Sequence, residues 1–215
     1  KRSYEAALCA LARTDVNVVN AELMGGGLEV VYDAVRRALA PPPALSPFVL
    51  TVGGDHSIAS GTISAMLGRH PSLGVIWVDA HADANTPRSS PSGHYHGMPA
   101  AHLLGWFEKE GELGKGVPAG SLKGFDWFPS GGCLAENKLA YIGLRDVDPE
   151  EGRMLRSSGV RVFTMRDVDK HGIAKCIEMA IEAVGPSADC PLHLSLDIDS
   201  VDPHFAPGTG TAARG

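Results

Sequence analysis

The stretch GVIWVDAHAD, residues 74–83, runs five residues of glycine and apolar side chains straight into an Asp-Ala-His-Ala-Asp cluster. A short, unbroken run rich in β-branched and aromatic residues is the pattern of a strand buried on both faces, and such strands belong to parallel sheets covered by helices. The polar cluster at its carboxyl end stands where open parallel sheets place their ligand sites. Outward from this stretch the same unit recurs. Phe48 to Val52 predicts a strand leading into GGDHS (53–57), with a helix over about 58–69. Residues 138–144 and 160–164 predict two further strands, and 192–198 a fifth that ends in Asp197-Ile198-Asp199. Leu28, Val31, Val35 and Leu39 fall on one face of a helix over 28–39, stopped by the prolines at 41–43. Ile173, Cys176, Ile177, Ala180, Ile181 and Val184 form the apolar stripe of a helix over 171–184, closed by Gly185-Pro186. The Gly-, Pro- and aromatic-rich stretch of about 112–136 reads as a surface loop.

The fold class expected is therefore α/β. With 215 residues and 44% apolar content, one domain over 1–215 is the expectation. A formal charge of −6, with acids and bases interspersed, offers no basic stripe for nucleic acid or anionic lipid. No apolar run reaches the length of a membrane span, so no membrane partner is expected and the chain reads as soluble. The four cysteines (Cys9, Cys133, Cys176, Cys190) lie far apart without a C-x-x-C pair, which points to free thiols in a reducing compartment. Cytoplasm is the default location. The chain starts at Lys1 and stops at Gly215 in a Gly/Thr/Ala-rich loop, so both ends read as cut and an organellar leader is left open.

Three polar clusters stand at predicted strand ends: 53–57, 79–83 and 197–199. Asp79, His81 and Asp83 recur with a period of two, as do Asp197 and Asp199, so an extended backbone projects each set toward one side. Four carboxylates with His56 and His81 in a crevice require cations, because unpaired buried charges are too costly. Carboxylate and imidazole without thiolate suit Mn²⁺, with Fe²⁺, Co²⁺ or Zn²⁺ as alternatives. Each fragment alone is weak: Asp55 or Ser57 also reads as the cap of the next helix, and acidic residues often end strands. Their joint placement carries the reading.

The strings GGDHS (53–57), VDAHADANTP (78–87), SGHYHG (92–97), YIGLRDVDPEE (141–151) and SLDIDSVDPHFAPGTGT (195–211) resemble the successive motifs of the ureohydrolase family, the arginases in particular. The resemblance implies a three-layer α/β/α sandwich around a mainly parallel sheet, and two Mn²⁺ per chain. One ion would be held by His56, Asp79, Asp83 and Asp197, the other by Asp79, His81, Asp197 and Asp199. It implies conversion of L-arginine and water to L-ornithine and urea by a metal-bridged hydroxide, with His96 as the catalytic proton shuttle. Asn85 and Ser92 would bind the substrate carboxylate, Asp148 its ammonium, Glu151 the ammonium through water, and Thr211 would lie near the guanidinium. A homo-oligomer, trimer or hexamer, is implied as well. Some positions depart from the family pattern: His94 replaces a usual Asn, Ser90 a common Thr, and a guanidinium-anchoring glutamate of the family falls beyond Gly215. Competing readings are another ureohydrolase (agmatinase, guanidinobutyrase or formiminoglutamase), a non-catalytic paralogue acting through subunit association, and a dinuclear phosphoesterase. The last has only Arg145 as a phosphate clamp.

Overall fold

The computed structural model describes residues 17–40, 48–108, 122–186 and 190–215. They form two compact units, one from the described residues up to Ala65 together with Asp83–Cys133, the other from Met66–Ala82 and Leu134–Gly215. Among the described residues no helix is long and apolar enough to cross a membrane.

The second unit holds the sheet. Its strands are β1 (Gly74–Val78), β2 (Leu139–Leu144), β3 (Arg161–Thr164) and β4 (Leu192–Leu196), all parallel, in the order β3-β2-β1-β4. Placing β1 and β2 centrally explains their composition. Every residue of β2 is buried, as are the first four of β1, so neither strand has a wet face that would call for alternating polar residues. Three helices belong wholly to this unit, the fourth to sixth among the described residues: α4 (Pro149–Arg156), α5 (Met165–His171) and α6 (Ile173–Val184). Helix α6 lays Cys176, Ala180 and Val184 against Ile76, Ala140 and Ile142 of the sheet.

The predicted helix over 171–184 is α6, which starts two residues later, at Ile173, and is preceded by a helix the sequence did not predict, α5. Gly172, at φ +82°, divides α5 from α6. Thr164 and Asp167 then cap α5 reciprocally: the Thr164 amide donates to Asp167 Oδ2 at 2.8 Å and the Asp167 amide to Thr164 Oγ1 at 3.4 Å. The apolar stripe of α6 is narrower than predicted, with Ile173 and Ile177 exposed at 50% and 41%.

The first unit is helical. Helix α1 (Ala21–Ala38) begins seven residues before its predicted start and runs through Gly25, Gly26 and Gly27. The reason is a close approach: a Cβ on Gly25 would stand 2.3 Å from the Gly124 carbonyl oxygen, so glycine is required for packing there despite its poor helix propensity. The prolines expected to stop this helix lie outside the described residues. Helix α2 (Ile58–Arg69) occupies the predicted span, and α3 (Pro99–Leu103) follows a single 3-10 turn at Tyr95–Gly97.

One expectation fails here and another holds only in part. Residues 48–52 are not a strand, and Phe48, Leu50 and Val52 are 90%, 74% and 86% exposed. The run has strand propensity, but a strand exists only where a neighbour completes its ladder, and among the described residues none pairs with it. The described part of the 112–136 stretch is the loop expected, with Lys123, Asp126 and Pro129 to Gly131 exposed, but it is anchored inward. Leu122, Phe125, Phe128 and Leu134 are buried, because aromatic rings of this size contribute more by burial than by exposure.

His102 lies in this aromatic core, stacked on Phe107 at 4.3 Å and on Phe128 at 3.9 Å between ring centroids. Burial pushes its pKa down to about 3, so the folded protein holds it neutral while the unfolded chain takes up a proton near the ordinary histidine value. The stability this group allows is fully present above pH about 6.5 and is lost as pH falls toward about 3. Within that window it steepens acid destabilisation by about 1.4 kcal/mol per pH unit. His102→Phe is expected to remove one proton from the pH slope of unfolding between about pH 6 and pH 4. Urea denaturation at a series of pH values measures it, and an unchanged slope would mean that His102 is protonated in the fold.

Candidate metal centre

β1 delivers Asp79 and His81 at its carboxyl end, and β4 delivers Asp197 and Asp199. The two strands are register partners from Gly74↔Leu192 to Val78↔Leu196, so their polar ends emerge side by side. One ligand atom each of Asp79, His81 and Asp199 falls within 4.8 Å of the others. Asp79 and Asp199 are 1% and 2% exposed.

Each side chain is fixed. Asp79 Oδ2 accepts from Trp77 Nε1 at 2.9 Å and its Oδ1 from the His81 amide at 2.8 Å. His81 Nδ1 lies 3.0 Å from Asp199 Oδ2. Thr211 Oγ1 donates to the same Asp199 oxygen at 2.8 Å. Asp197 stands beside the group, its Oδ1 accepting from the Asp199 amide at 3.0 Å. Gly143 stands at φ +96°, where β2 and β3 slip register, and a Cβ there would press on the Asp79 carbonyl at 3.2 Å. Backbone conformation and proximity both demand glycine at that point.

The electrostatics show what this set lacks. Hydrogen bonding to Asp199 and then to Asp79 raises the His81 pKa to about 10. Two buried carboxylates call for positive charge, and a proton on His81 answers part of that demand. A divalent cation would answer it more fully, leaving His81 neutral as a ligand must be. The donor set, oxygen and imidazole without sulfur, fits Mn²⁺.

In the first unit, His56 and Asp83 pair, Nδ1 to Oδ2, at 3.0 Å, both nearly buried. Asp83 holds a left-handed backbone at φ +48°, one of two such non-glycine residues described. This strained conformation at a candidate ligand is of the kind that clusters at functional sites. Asp55 Oδ1 accepts from the Ser57 amide at 3.0 Å, which gives Asp55 the helix-entry role. Asn85 is buried, with Oδ1 accepting from Ser89 Oγ at 2.8 Å, while Ser92 is exposed. His96 is half-buried, 5.6 Å from the exposed His94 between ring centroids.

The second unit places the other predicted residues. Asp148 is the N-cap of α4, and Glu151, buried, returns its Oε2 to the Asp148 amide at 2.9 Å as one arm of a capping box. Sequence reasoning missed Trp77 and read Arg145 only as a phosphate clamp. Trp77 precedes Asp79 by two, so the strand period alone puts them on one side. Arg145 clamps the loop that follows β4, donating from Nη2 to the carbonyls of Asp199 (2.8 Å) and Ala213 (3.0 Å) and from Nη1 to that of Ser200 (3.0 Å). With the Gly143 carbonyl at 3.4 Å from Nη1 as a fourth acceptor, this guanidinium is engaged by backbone, which removes the one clamp a phosphoesterase reading had.

The sequence profile described as "Arginase family" matches residues 2–215. Arginase of Saccharomyces cerevisiae is 45% identical over 204 residues, covering 93% of this chain and 56% of the relative. Arginase of Neurospora crassa is 49% identical over 174 residues, 78% of this chain and 45% of the relative. The crystal structure of arginase from Bacillus cereus superposes with a TM-score of 0.77 at 32% identity, over 94% of this chain and 63% of that one. The chain thus spans about half the length of the curated relatives it matches.

Proposed function

The chain belongs to the arginase family, and from that premise we propose that it hydrolyses L-arginine to L-ornithine and urea with two Mn²⁺ ions per chain. The observation that carries the proposal is the Asp79, His81 and Asp199 group, two buried carboxylates and an imidazole converging at adjacent strand ends. An interaction module has no evident use for it. Asp197 is proposed as a further ligand, with His56 and Asp83 completing the set. When bound, the ions supply Lewis acidity that brings a water's pKa near neutrality.

The chain's own residues do the rest. Trp77 and the His81 amide hold Asp79 at both oxygens, so the carboxylate does not reorganise during turnover. Arg145 and Thr211 hold Asp199 from backbone and side chain. His96, on a loop separate from the ligand clusters, is the proton carrier. Cleaving the bond between the guanidinium carbon and the chain nitrogen releases ornithine as an amine, which must gain a proton, and an imidazole near neutral pH is suited to give it. Ser89 fixes which end of the Asn85 amide accepts, and Asn85 is the residue proposed to donate to the substrate carboxylate. The Asp148 carboxylate serves the α-ammonium. We further propose a homo-oligomer.

Discrimination between arginine and agmatine, the same guanidinium without the carboxylate, tests the substrate. Agmatine leaves the buried Asn85 donor unsatisfied, at about 1–3 kcal/mol, whereas water replaces the partner of exposed Ser92. Arginine should exceed agmatine by roughly tenfold to a hundredfold in kcat/KM. Asp148→Asn keeps a side chain able to cap α4 but drops the charge, and is expected to weaken arginine while sparing agmatine. Equal or better use of agmatine by the unmodified enzyme would remove the amino-acid substrate and leave a ureohydrolase of another specificity.

A further inference from the structure

The loop SGHYHG (92–97) carries two side chains of the proposed site, Ser92 and His96, and between its histidines stands a residue that turns inward. Tyr95 is 1% exposed, with His94 exposed and His96 half-buried on either side. Its hydroxyl lies 2.7 Å from Ser60 Oγ of α2 and 2.8 Å from His102 Nδ1 of α3. Its ring meets Phe125 at 4.9 Å. His102, flat against Phe107 and Phe128, is locked in its turn.

A hydroxyl, a second hydroxyl and an imidazole in an aromatic box make a demanding way to fill space. Each needs a partner, and leucine or phenylalanine would fill the same volume without one. What the polar set adds is direction: hydrogen bonds to two different helices fix the rotation of the Tyr95 side chain and the position of its backbone, which packing alone leaves softer. The backbone after it is tied as well. The Met98 amide donates to the Tyr95 carbonyl at 2.8 Å, and the Asn85 amide to the Gly97 carbonyl at 3.0 Å. His96 is the residue between these anchors.

We propose that Tyr95 is a positioning residue, whose hydroxyl, bonded to Ser60 and His102, holds the 92–97 loop so that His96 stands in place for proton transfer. The inference rests on the assignment of His96 made above. A proton carrier displaced by a fraction of its reach transfers slowly even when its chemistry is intact, and misplacements of about 1 Å cost on the order of a hundredfold.

The test is a double-mutant cycle of Tyr95→Phe with His96→Asn on the manganese-loaded enzyme. Tyr95→Phe keeps the ring and deletes the clamp. It is expected to lower kcat by about 10–100-fold, with manganese content unchanged and KM for arginine raised by less than kcat falls, because the loop also carries Ser92 and is tied to the Asn85 amide, while the Asn85 side chain keeps its bond from Ser89. In the His96→Asn background it should lower kcat no further. Amide hydrogen exchange over 92–98, measured without substrate, should quicken in Tyr95→Phe and not elsewhere in the first unit. Wild-type kcat in Tyr95→Phe, even with a lowered melting temperature, would reduce the residue to core packing and overturn the proposal. So would a full further loss of rate in the His96→Asn background. A His96→Asn single variant with wild-type rate would remove the His96 assignment itself and the proposal with it, a result distinct from the other two. If Tyr95→Phe fails to fold, His102→Phe, which keeps a flat ring in the stack, carries the same expectations.

Discussion

Asp79→Asn is expected to strip manganese from the protein and to take urea formation down with it. Asparagine keeps the shape of the side chain and one acceptor, for Trp77 Nε1, now 2.9 Å from Asp79 Oδ2, while its amide nitrogen gives up the bond from the His81 amide and one buried negative charge disappears. Removing one partner from a buried charged set costs about 3–5 kcal/mol, which corresponds to roughly two to four powers of ten in metal affinity. Under the proposed ligand set Asp79 serves both ions, so both should be lost together. Asp197→Asn should behave alike for the same reason. Inductively coupled plasma measurement on the desalted variants gives the answer, and full occupancy in both would remove these two residues from the ligand set.

His96→Asn is expected to give the second large effect, with the opposite signature in the metals. General acid–base catalysis contributes about 10²–10⁴-fold, and the maximal rate should fall by that order while manganese content stays at the wild-type value. His96 lies thirteen residues beyond Asp83, in a loop whose contacts are with α2, α3 and Asn85 through its neighbours. Its loss therefore leaves the ligand clusters their own supports. A rate equal to wild type across the pH profile would take His96 out of the reaction.

The strands of the sheet were readable from their short apolar runs, buried fully in β2 and only in part in β3. β1 was legible to the residue because its apolar run has no polar interruption, and β2 and β3 to within one residue at their starts. Phe48 to Val52 has the same composition and is no strand, since composition reports what a strand needs to be buried and says nothing of whether a ladder partner exists. The start of α1 was illegible because Gly25 to Gly27 reads as a breaker, and only contact with Gly124, far along the chain, explains it. Helix α5, MRDVDKH, has no apolar stripe to detect and owes its start to the Thr164 and Asp167 cap.

For the candidate site the expected period of two put Asp79 with His81 and would have supplied Trp77, but the strands end at Val78 and Leu196, Asp83 is left-handed at φ +48° and Asp199 lies in a 3-10 turn, so an extended backbone does not carry the whole set. The bonds from Thr211 and Arg145 to the Asp199 segment cross loops rich in proline and glycine, where no local periodicity applies. The capping of α4 by Asp148 and Glu151 was legible as helix chemistry. That structural role coexists with the substrate role proposed for Asp148, and the charge-only Asp148→Asn variant separates the two.

We propose a dinuclear manganese centre that acts on arginine. Its most direct test is to load the protein with Mn²⁺, desalt it, and measure manganese per chain and urea released from L-arginine on the same sample before and after chelation. Two ions per chain are expected, with urea release that vanishes on chelation and returns when Mn²⁺ is restored. Urea release that persists in protein stripped of metal, or a loaded protein that retains no manganese, would contradict the account.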